Sequence, residues 1–379
     1  MRYESSLLFK PFAFGNGVVL RNRIVMAPMT TWSANPDGSI SEEELLHYRS
    51  RAKDVGLVIT GCTHVSANGI GFTDEFAAYD DRFIPSLRRL AEAAKSGGAP
   101  AILQIFHAGN KALVEVAPEG ELVSASAVNA LSGPFNSGDV TPRALSHDEV
   151  AEMVLVFGET TRRAIEAGFD GVELHGAHGF LLQNFFSPRY NQRSDVWGGS
   201  MEERMEFPLA VVREVKRVIA DHAKQPFLLG YRISPEERDE GGYRLPDMLA
   251  FVDALIAEGI DYLHASLHEV LSSTPVGDDS LLMVQRLISH VGDRVPLMAA
   301  GSLRTPEQAE RALELGLAMT AIGKGLLINP GWVAVAKSGN AAAIHQTLDL
   351  NRRDEFAIPE GLWRAVEASP GWIPVSSDA

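Results

Sequence analysis

Two histidines three positions apart, His175 and His178, are the most evident candidates for chemistry in this sequence. They follow a short apolar segment and are flanked by glycines. A zinc site would need a third ligand, usually with a carboxylate companion, and Glu173 need not point the same way. The other alternative is a histidine pair with a purely structural role. The spacing favours a paired hydrogen-bond donor for an anionic or carbonyl oxygen, and no metal site is expected.

Two polar residues interrupt apolar segments that should be buried strands, Gln104 and Arg232. A buried amide and a buried guanidinium both need partners. A fixed carboxylate could serve as a structural partner. A planar heterocycle with amide-like edges would satisfy both side chains better, and Thr30 adds a third hydrogen-bonding group to the same rim.

A phosphate site is predicted near the end of the repeating part of the chain. Gly301 and Gly323 allow a ligand to approach the backbone, Ser302 offers a hydroxyl and an N–H group, and Lys324 supplies a charge. A helix start at Thr305 adds exposed N–H groups nearby. The glycines could merely turn the chain, but two adjacent segments carry the same signal.

Short apolar segments alternate with longer amphipathic ones, which predicts a parallel sheet covered on both faces. The eight predicted strands are Ile24–Pro28, Gly56–Gly61, Ala101–Phe106, Gly171–His175, Phe227–Ser234, Tyr262–Ser266, Pro296–Gly301 and Met319–Gly323.

Helix starts are marked by four matches to the capping box, in which a side-chain oxygen and an acidic or amide group satisfy exposed backbone N–H groups. The pairs are Ser41 with Glu44, Ser146 with Glu149, Ser200 with Glu203 and Thr305 with Gln308. Eight β/α repeats in about 300 residues predict an α/β protein of the (β/α)8 TIM-barrel type. In such barrels the active site lies at the strand C-termini, where the chemical residues above fall.

The remaining length is predicted to decorate one domain, residues 1–379, whose barrel core spans about 24–330. Residues 7–23 form an N-terminal β-hairpin that plugs the barrel bottom. Residues 107–145, rich in Gly, Pro, Ser and Asn, form an insertion after the third strand. Residues 331–379 form a C-terminal helical extension that ends in a loose tail.

Composition excludes several classes of protein. The chain of 379 residues is 45% apolar and 22% charged, with a formal net charge of −15. Nucleic acid and anionic membranes are therefore not expected as partners. The single cysteine, Cys62, cannot form an internal disulfide or an iron–sulfur cluster. With no signal-peptide pattern, a soluble cytoplasmic protein is expected, and the oligomeric state, a homo-oligomer included, stays open.

The sequence resembles the Old Yellow Enzyme family of FMN-dependent NAD(P)H oxidoreductases. The resemblance runs from about residue 7 to 335, and its motifs are specific in combination. They are Asn22–Thr30, Gln104 with His107–Gly109, His175–Gly179, Phe186–Arg193, Trp197–Ser200 and Ile322–Lys324.

The resemblance implies a non-covalent FMN at the barrel mouth and a ping-pong mechanism, in which NAD(P)H reduces the flavin and a small electrophilic acceptor then takes the hydride. Thr30 would bond the flavin C4 oxygen, Gln104 would face the pyrimidine edge, and Arg232 would lie near N1 and the C2 oxygen. The implied cofactor-binding set is Ala27, Pro28, Met29, Thr30, Cys62, Gln104, Arg232, Gly301, Ser302, Gly323 and Lys324. The implied catalytic pair is His175 and His178, and the substrate wall adds Trp32 and Phe180.

Two departures from the family pattern qualify these expectations. Lys324 stands where many relatives have arginine, so the charge is kept without the bidentate fork. Phe180 stands where the family usually has the tyrosine that protonates the alkene. Reduction of the activated C=C bond of enones is the leading expectation. Quinones or nitro compounds as acceptors, or C=C isomerisation, are the alternative, followed by a non-redox phosphate-binding barrel and a flavin binder without turnover.

Overall fold

Eight parallel strands close into a barrel in the computed structural model, which describes residues 6–133, 138–350 and 355–376. Each strand pairs with its sequence neighbours, and the last returns to the first. The strands are β1 Ile24–Met26, β2 Leu57–Ile59, β3 Ala101–Phe106, β4 Gly171–Gly176, β5 Leu228–Ile233, β6 Tyr262–Ser266, β7 Leu297–Ala300 and β8 Met319–Ile322. The predicted (β/α)8 barrel is confirmed.

Helices connect successive strands and cover the outside of the barrel. The longer ones are α1 Glu42–Arg51, α2 Ile84–Lys95, α3 His147–Ala167, α4 Met201–His222, α5 Leu245–Glu258, α6 Met283–Val291, α7 Pro306–Glu314, α8 Trp332–Ser338 and α9 Glu360–Ala368. Two short helices, Leu181–Phe186 and Lys324–Ile328, follow β4 and β8. The helices other than α9 pack their apolar faces on the strands in one core cluster.

Three of the four predicted capping boxes form in full, at α3, α4 and α7. The prediction for α1 is half wrong. Ser41 accepts a hydrogen bond from the Glu44 backbone N–H, but the Glu44 carboxylate is fully buried and accepts from the Thr31 hydroxyl instead. A tertiary partner thus replaces the local one.

The N-terminal segment plugs the bottom of the barrel, as predicted. Its hairpin is shorter than expected, because only Phe12–Ala13 and Val19–Leu20 pair as antiparallel strands. Phe14 and Leu20 are buried in the cluster of inward-facing residues at the barrel floor. The preceding turn, Leu7–Phe9, is a 3-10 helix whose N–H groups are held by the buried Glu310 carboxylate.

The insertion after β3 contains a 3-10 turn, Gly109–Lys111, and a short parallel strand pair, Val123–Ser124 with Arg143–Ala144. Residues 134–137 of the insertion lie outside the described residues.

The C-terminal extension contains a short strand pair besides its helices within the described residues. Val375–Ser376 pairs with Leu348–Asp349, and an apolar cluster holds α9 against the barrel. The parts of the extension at 351–354 and 377–379 lie outside the described residues. Among the residues described, no helix is long and apolar enough to cross a membrane.

Candidate active site

One cavity of about 690 Å³ opens at the C-terminal ends of the barrel strands. This volume lies within the range of small-molecule and cofactor sites. Every site residue that the sequence singled out lines it. These residues are Ala27, Pro28, Met29, Thr30, Trp32, Cys62, Gln104, His175, His178, Phe180, Arg232, Gly301, Ser302, Gly323 and Lys324.

The histidine pair lies at the end of β4, with the two ring centroids 4.9 Å apart. Burial, reinforced by the nearby Arg232 cation, holds the pKa of both imidazoles well below the ordinary range. Both rings are therefore neutral at pH 7. Nδ1 of His175 accepts the Ala177 backbone N–H at 3.3 Å, so its proton lies on Nε2. His175 thus offers a neutral N–H donor.

Ser266 connects the second histidine to the guanidinium. Its Oγ lies 2.7 Å from His178 Nε2 and accepts a hydrogen bond from Arg232 at 3.2 Å. The Ser266 oxygen thus contacts both side chains, and its hydrogen bond with Nε2 holds the His178 ring in place. His178 itself has a left-handed backbone, with φ +60°, a conformation that is costly for a side chain of this size.

A buried carboxylate supports the polar edge of the cavity. Glu173 accepts a hydrogen bond from the Gln104 amide nitrogen at 2.7 Å and contacts His264 Nδ1 at 2.9 Å. The structural-carboxylate alternative for Gln104 is therefore realised, while the side chain still lines the cavity. Burial lowers the pKa of Arg232, and Glu173 acts in the opposite direction. Arg232 Nε is buried with no hydrogen-bond partner in the described part of the chain.

The opposite end of the cavity is lined by small residues and a cation. Gly301 must be glycine because a Cβ there would lie 2.5 Å from the Leu267 carbonyl oxygen. Ser302 follows it with φ +52°. Lys324 begins the short helix after β8, and burial together with Arg304 lowers its pKa. Sequence reasoning missed Arg304, whose Nε is buried without a partner in the described ranges.

Two further cavity residues come from segments without a strand or helix period. Lys111 ends the 3-10 turn after β3, and its position after that strand was the available signal. Trp372 comes from the C-terminal extension and contacts Trp32 edge-on, with ring centroids 5.7 Å apart. No sequence spacing connects Trp372 to the barrel, so this contact could not have been found.

The described residues contain no group of three or more His, Cys, Asp or Glu side chains placed to hold a metal ion. The cavity instead has a polar, cation-backed edge, a small cationic end and an apolar floor that includes Met29 and Cys62. Barrel and cavity together define a (β/α)8 protein with a cation-lined ligand cavity at its strand C-termini.

Comparisons with known proteins identify the family to which this barrel belongs. The sequence model of the NADH:flavin oxidoreductase / NADH oxidase family matches residues 7–342, and the chain belongs to this family. A probable NADH-dependent flavin oxidoreductase, YqiG, of Bacillus subtilis (strain 168) is 43% identical over 368 residues, 97% of each chain. The Old Yellow Enzyme homologue of Zymomonas mobilis has a TM-score of 0.76 at 26% identity, covering 88% of this chain and 93% of its own.

A longer relative is also similar. The NADH:acrylate oxidoreductase of Vibrio harveyi is 38% identical over 364 residues, which are 95% of this chain and 36% of that protein. The chain therefore spans about a third of that relative. The resemblance to Old Yellow Enzymes is confirmed, and the chain is an NAD(P)H-dependent oxidoreductase whose cofactor is FMN.

The cavity fits FMN on its own features. The orphaned Arg232 Nε provides an unused donor for a heterocycle edge. Lys324 has no hydrogen bond or ion pair within the described ranges, so its ammonium group is available to bind an anion. Gly301 and Gly323 carry no side chain where the phosphate end of the cofactor would lie.

Proposed function

We propose that this FMN-dependent NAD(P)H oxidoreductase reduces the activated C=C bond of enones or related electrophilic acceptors in a ping-pong reaction. The observation that carries the proposal is the neutral pair of His175 and His178 at the end of β4, in the same cavity as Arg232. Neutral imidazole N–H groups are suited to a carbonyl, carboxylate or nitro oxygen, because they donate hydrogen bonds without an ion of their own.

The proposed cofactor contacts follow the cavity from edge to end. Gln104 and Arg232 hold the pyrimidine edge, with Arg232 near N1 and the C2 oxygen. Thr30, whose hydroxyl lies 3.4 Å from Cys62 Sγ, faces the C4 oxygen. Ser302 and Lys324 hold the phosphate. When bound, FMN supplies the hydride transfer from NAD(P)H to the acceptor.

The protein's own part of the reaction is positioning and electrostatics. The histidine pair holds the acceptor oxygen and withdraws electron density from the conjugated double bond. Ser266 fixes the orientation of His178. Trp32, Phe180 and Trp372 give the acceptor an apolar wall that excludes water.

The name of one relative supports an activated alkene as the acceptor. Acrylate, named for the Vibrio harveyi protein, has a C=C bond conjugated to a carboxylate. A carboxylate oxygen can accept hydrogen bonds from His175 and His178 in the same way as an enone oxygen.

A second candidate keeps the cofactor but changes the acceptor to a quinone or a nitro compound, or the reaction to C=C isomerisation. The observation that favours it is Phe180, which lines the cavity where the family usually has a tyrosine as proton donor. Quinone and nitro reduction need no proton on carbon, so this residue would not limit them.

The test is a stopped-flow measurement of both half-reactions under anaerobic conditions, with an enone, an unsaturated acid and a quinone as acceptors. A phenolate ligand should bind over the flavin and give a long-wavelength charge-transfer band. Replacing His175 and His178 by alanine should abolish the band while FMN stays bound. Each lost hydrogen bond costs roughly 1–3 kcal/mol, which is about a 5- to 160-fold loss in phenolate affinity.

His268 provides a matched control, because it lines the same cavity but is exposed and lies outside the pair. His268→Ala should keep the charge-transfer band. If the double variant keeps the band, or if the wild-type enzyme transfers hydride to quinones but to none of the alkenes, the proposed role of the pair in alkene reduction is wrong.

A further inference from the structure

Alkene reduction, on which this inference rests, needs a proton for the carbon next to the activating group, and Phe180 has none to give. Its ring is buried, 4.8 Å from Phe106 and 4.9 Å from His175 between centroids. No tyrosine lines the described part of the cavity. The nearby Tyr190 is buried and does not line the cavity either.

A cation lies beside Phe180. The Lys111 ammonium is 5.9 Å from the centroid of the Phe180 ring and donates a 2.6 Å hydrogen bond to the His178 carbonyl oxygen. Gly179 leaves room for it, since a Cβ at that position would lie 2.9 Å from Nζ. The ammonium is therefore held against the backbone of the segment from His178 to Phe180, and it lines the cavity.

This ammonium retains protons to donate. An ammonium has three N–H groups, and the His178 carbonyl takes one of them. Burial lowers the pKa of Lys111, which brings the group closer to neutral pH and makes it a better acid. The carboxylates of Glu237 and Asp239 act in the opposite direction and keep the charged form populated.

Other proton carriers at the cavity are less suitable. Burial raises the pKa of the Cys62 thiol well above its ordinary range. The histidines at 175 and 178 are neutral and are assigned to the acceptor oxygen. His268 is exposed, and its carbonyl accepts a hydrogen bond from Ser302, so it lies beside the phosphate end.

We propose that Lys111 is the general acid of the oxidative half-reaction and does the work of the missing tyrosine. The acceptor gains a hydride at its β-carbon, with both electrons originating from NAD(P)H. The C=C π electrons then form the new bond between the α-carbon and a proton from Nζ. One N–H bond of the ammonium breaks, a neutral amine remains, and water returns the proton before the next turnover.

The experiment compares Lys111→Met, Lys111→Arg and the double variant Lys111→Met with Phe180→Tyr, each loaded with FMN. Methionine keeps the length of the stem without a proton, and arginine keeps the charge but does not deprotonate near neutral pH. A general acid typically contributes 10²- to 10⁴-fold. Enone reduction should slow by about this factor in both single variants, while flavin reduction by NAD(P)H and quinone reduction stay near wild type.

Two readouts separate a proton donor from a structural cation. The tyrosine of the double variant should restore enone reduction at least tenfold over Lys111→Met. In the wild type, the rate of enone reduction should fall at alkaline pH as Lys111 loses its proton. This alkaline limb of the pH profile should be absent when Lys111 is replaced. NMR of ¹³C-methylated lysines, of which the sequence has eight, should show Lys111 titrating at that same pH. The other groups facing it are His175, His178, Glu237 and Asp239, and its resonance is assigned by its absence in Lys111→Met.

The outcomes distinguish this inference from the proposed function. If the wild type reduces no alkene, the proposed function fails. If the wild type reduces enones and Lys111→Arg matches it, the role of Lys111 is charge alone and the general-acid proposal is overturned. Equal loss in both half-reactions, or loss of the phenolate band in Lys111→Met, would show a structural role and overturn it too.

Discussion

Replacing Lys324 should weaken the binding of FMN but not that of riboflavin. Lys324 has no ion pair or hydrogen bond within the described ranges, and no Asp or Glu is among the described cavity-lining residues. Its charge is therefore uncompensated until a phosphate binds. A charge-assisted hydrogen bond contributes roughly 1.5–3 kcal/mol, so Lys324→Ala should raise the Kd for FMN about 10- to 160-fold.

Riboflavin makes this a clean comparison, because it has the same ring system without the phosphate. Apoprotein is titrated with each flavin, and binding is followed by quenching of flavin fluorescence. High salt should reduce the difference between wild type and variant for FMN, since it screens the contact. Lys337→Ala is the matched control, because its ammonium lies 3.6 Å from Asp54 on the protein surface.

Two results would refute the reasoning. Equal losses for FMN and riboflavin would mean that Lys324 shapes the site without contacting the phosphate. Unchanged FMN affinity would place the phosphate elsewhere, and the nearby Arg304, with its unpartnered Nε, would be the next residue to replace.

Three further predictions concern buried charges around the barrel. Burial raises the pKa of Glu44 from 4.5 to about 7. Between these pH values the native state keeps a proton that the unfolded chain has released. The native state therefore loses stability as the pH rises from 4.5 to about 7. This group should lower the free energy of unfolding of the wild type by roughly 3 kcal/mol between pH 5 and pH 8. Glu44→Gln should remove that difference, measured by urea unfolding at both pH values, and equal pH dependence in wild type and variant would contradict the prediction. Glu173→Gln should leave Arg232 without its buried counter-charge and shift the flavin midpoint potential upward by about tens of millivolts, measured by dye-coupled reduction; an unchanged potential would count against that coupling. The fully buried Arg51 donates hydrogen bonds to three backbone carbonyls of the residues around 327 and 356–357, so Arg51→Met should expose the extension to early proteolysis while the barrel persists, and equal cleavage rates would disprove it.

The barrel was predictable because its signals are local. Ala101–Phe106 and Tyr262–Ser266 are strands with the predicted bounds, since continuous apolar segments are what a strand covered on both faces requires. The capping residues before α3, α4 and α7 fix helix starts through contacts within four positions. Strand C-termini then had to meet at one end of the barrel, which brings the chemical residues together.

The rest depends on contacts distant in sequence. The carboxylate of Glu44 bonds Thr31, and no local pattern could distinguish this from a capping box. The partner of Gln104 is Glu173, on the neighbouring strand, and only strand register shows that these two residues are level. Trp372 reaches the cavity from a segment more than 300 residues away from Trp32.

Three cations line the described cavity of a chain with a net charge of −15, and they differ in what balances them. The charge of Arg232 is supported by the buried Glu173, so it is fixed and suited to orienting a dipolar ring edge. Burial lowers the pKa of Lys111 while Glu237 and Asp239 act in the opposite direction, so its proton is available. Burial and the neighbouring Arg304 cation both lower the pKa of Lys324, so this ammonium needs an anion from the ligand. The same charge in three surroundings is thus consistent with three tasks, namely orientation, proton donation and phosphate binding.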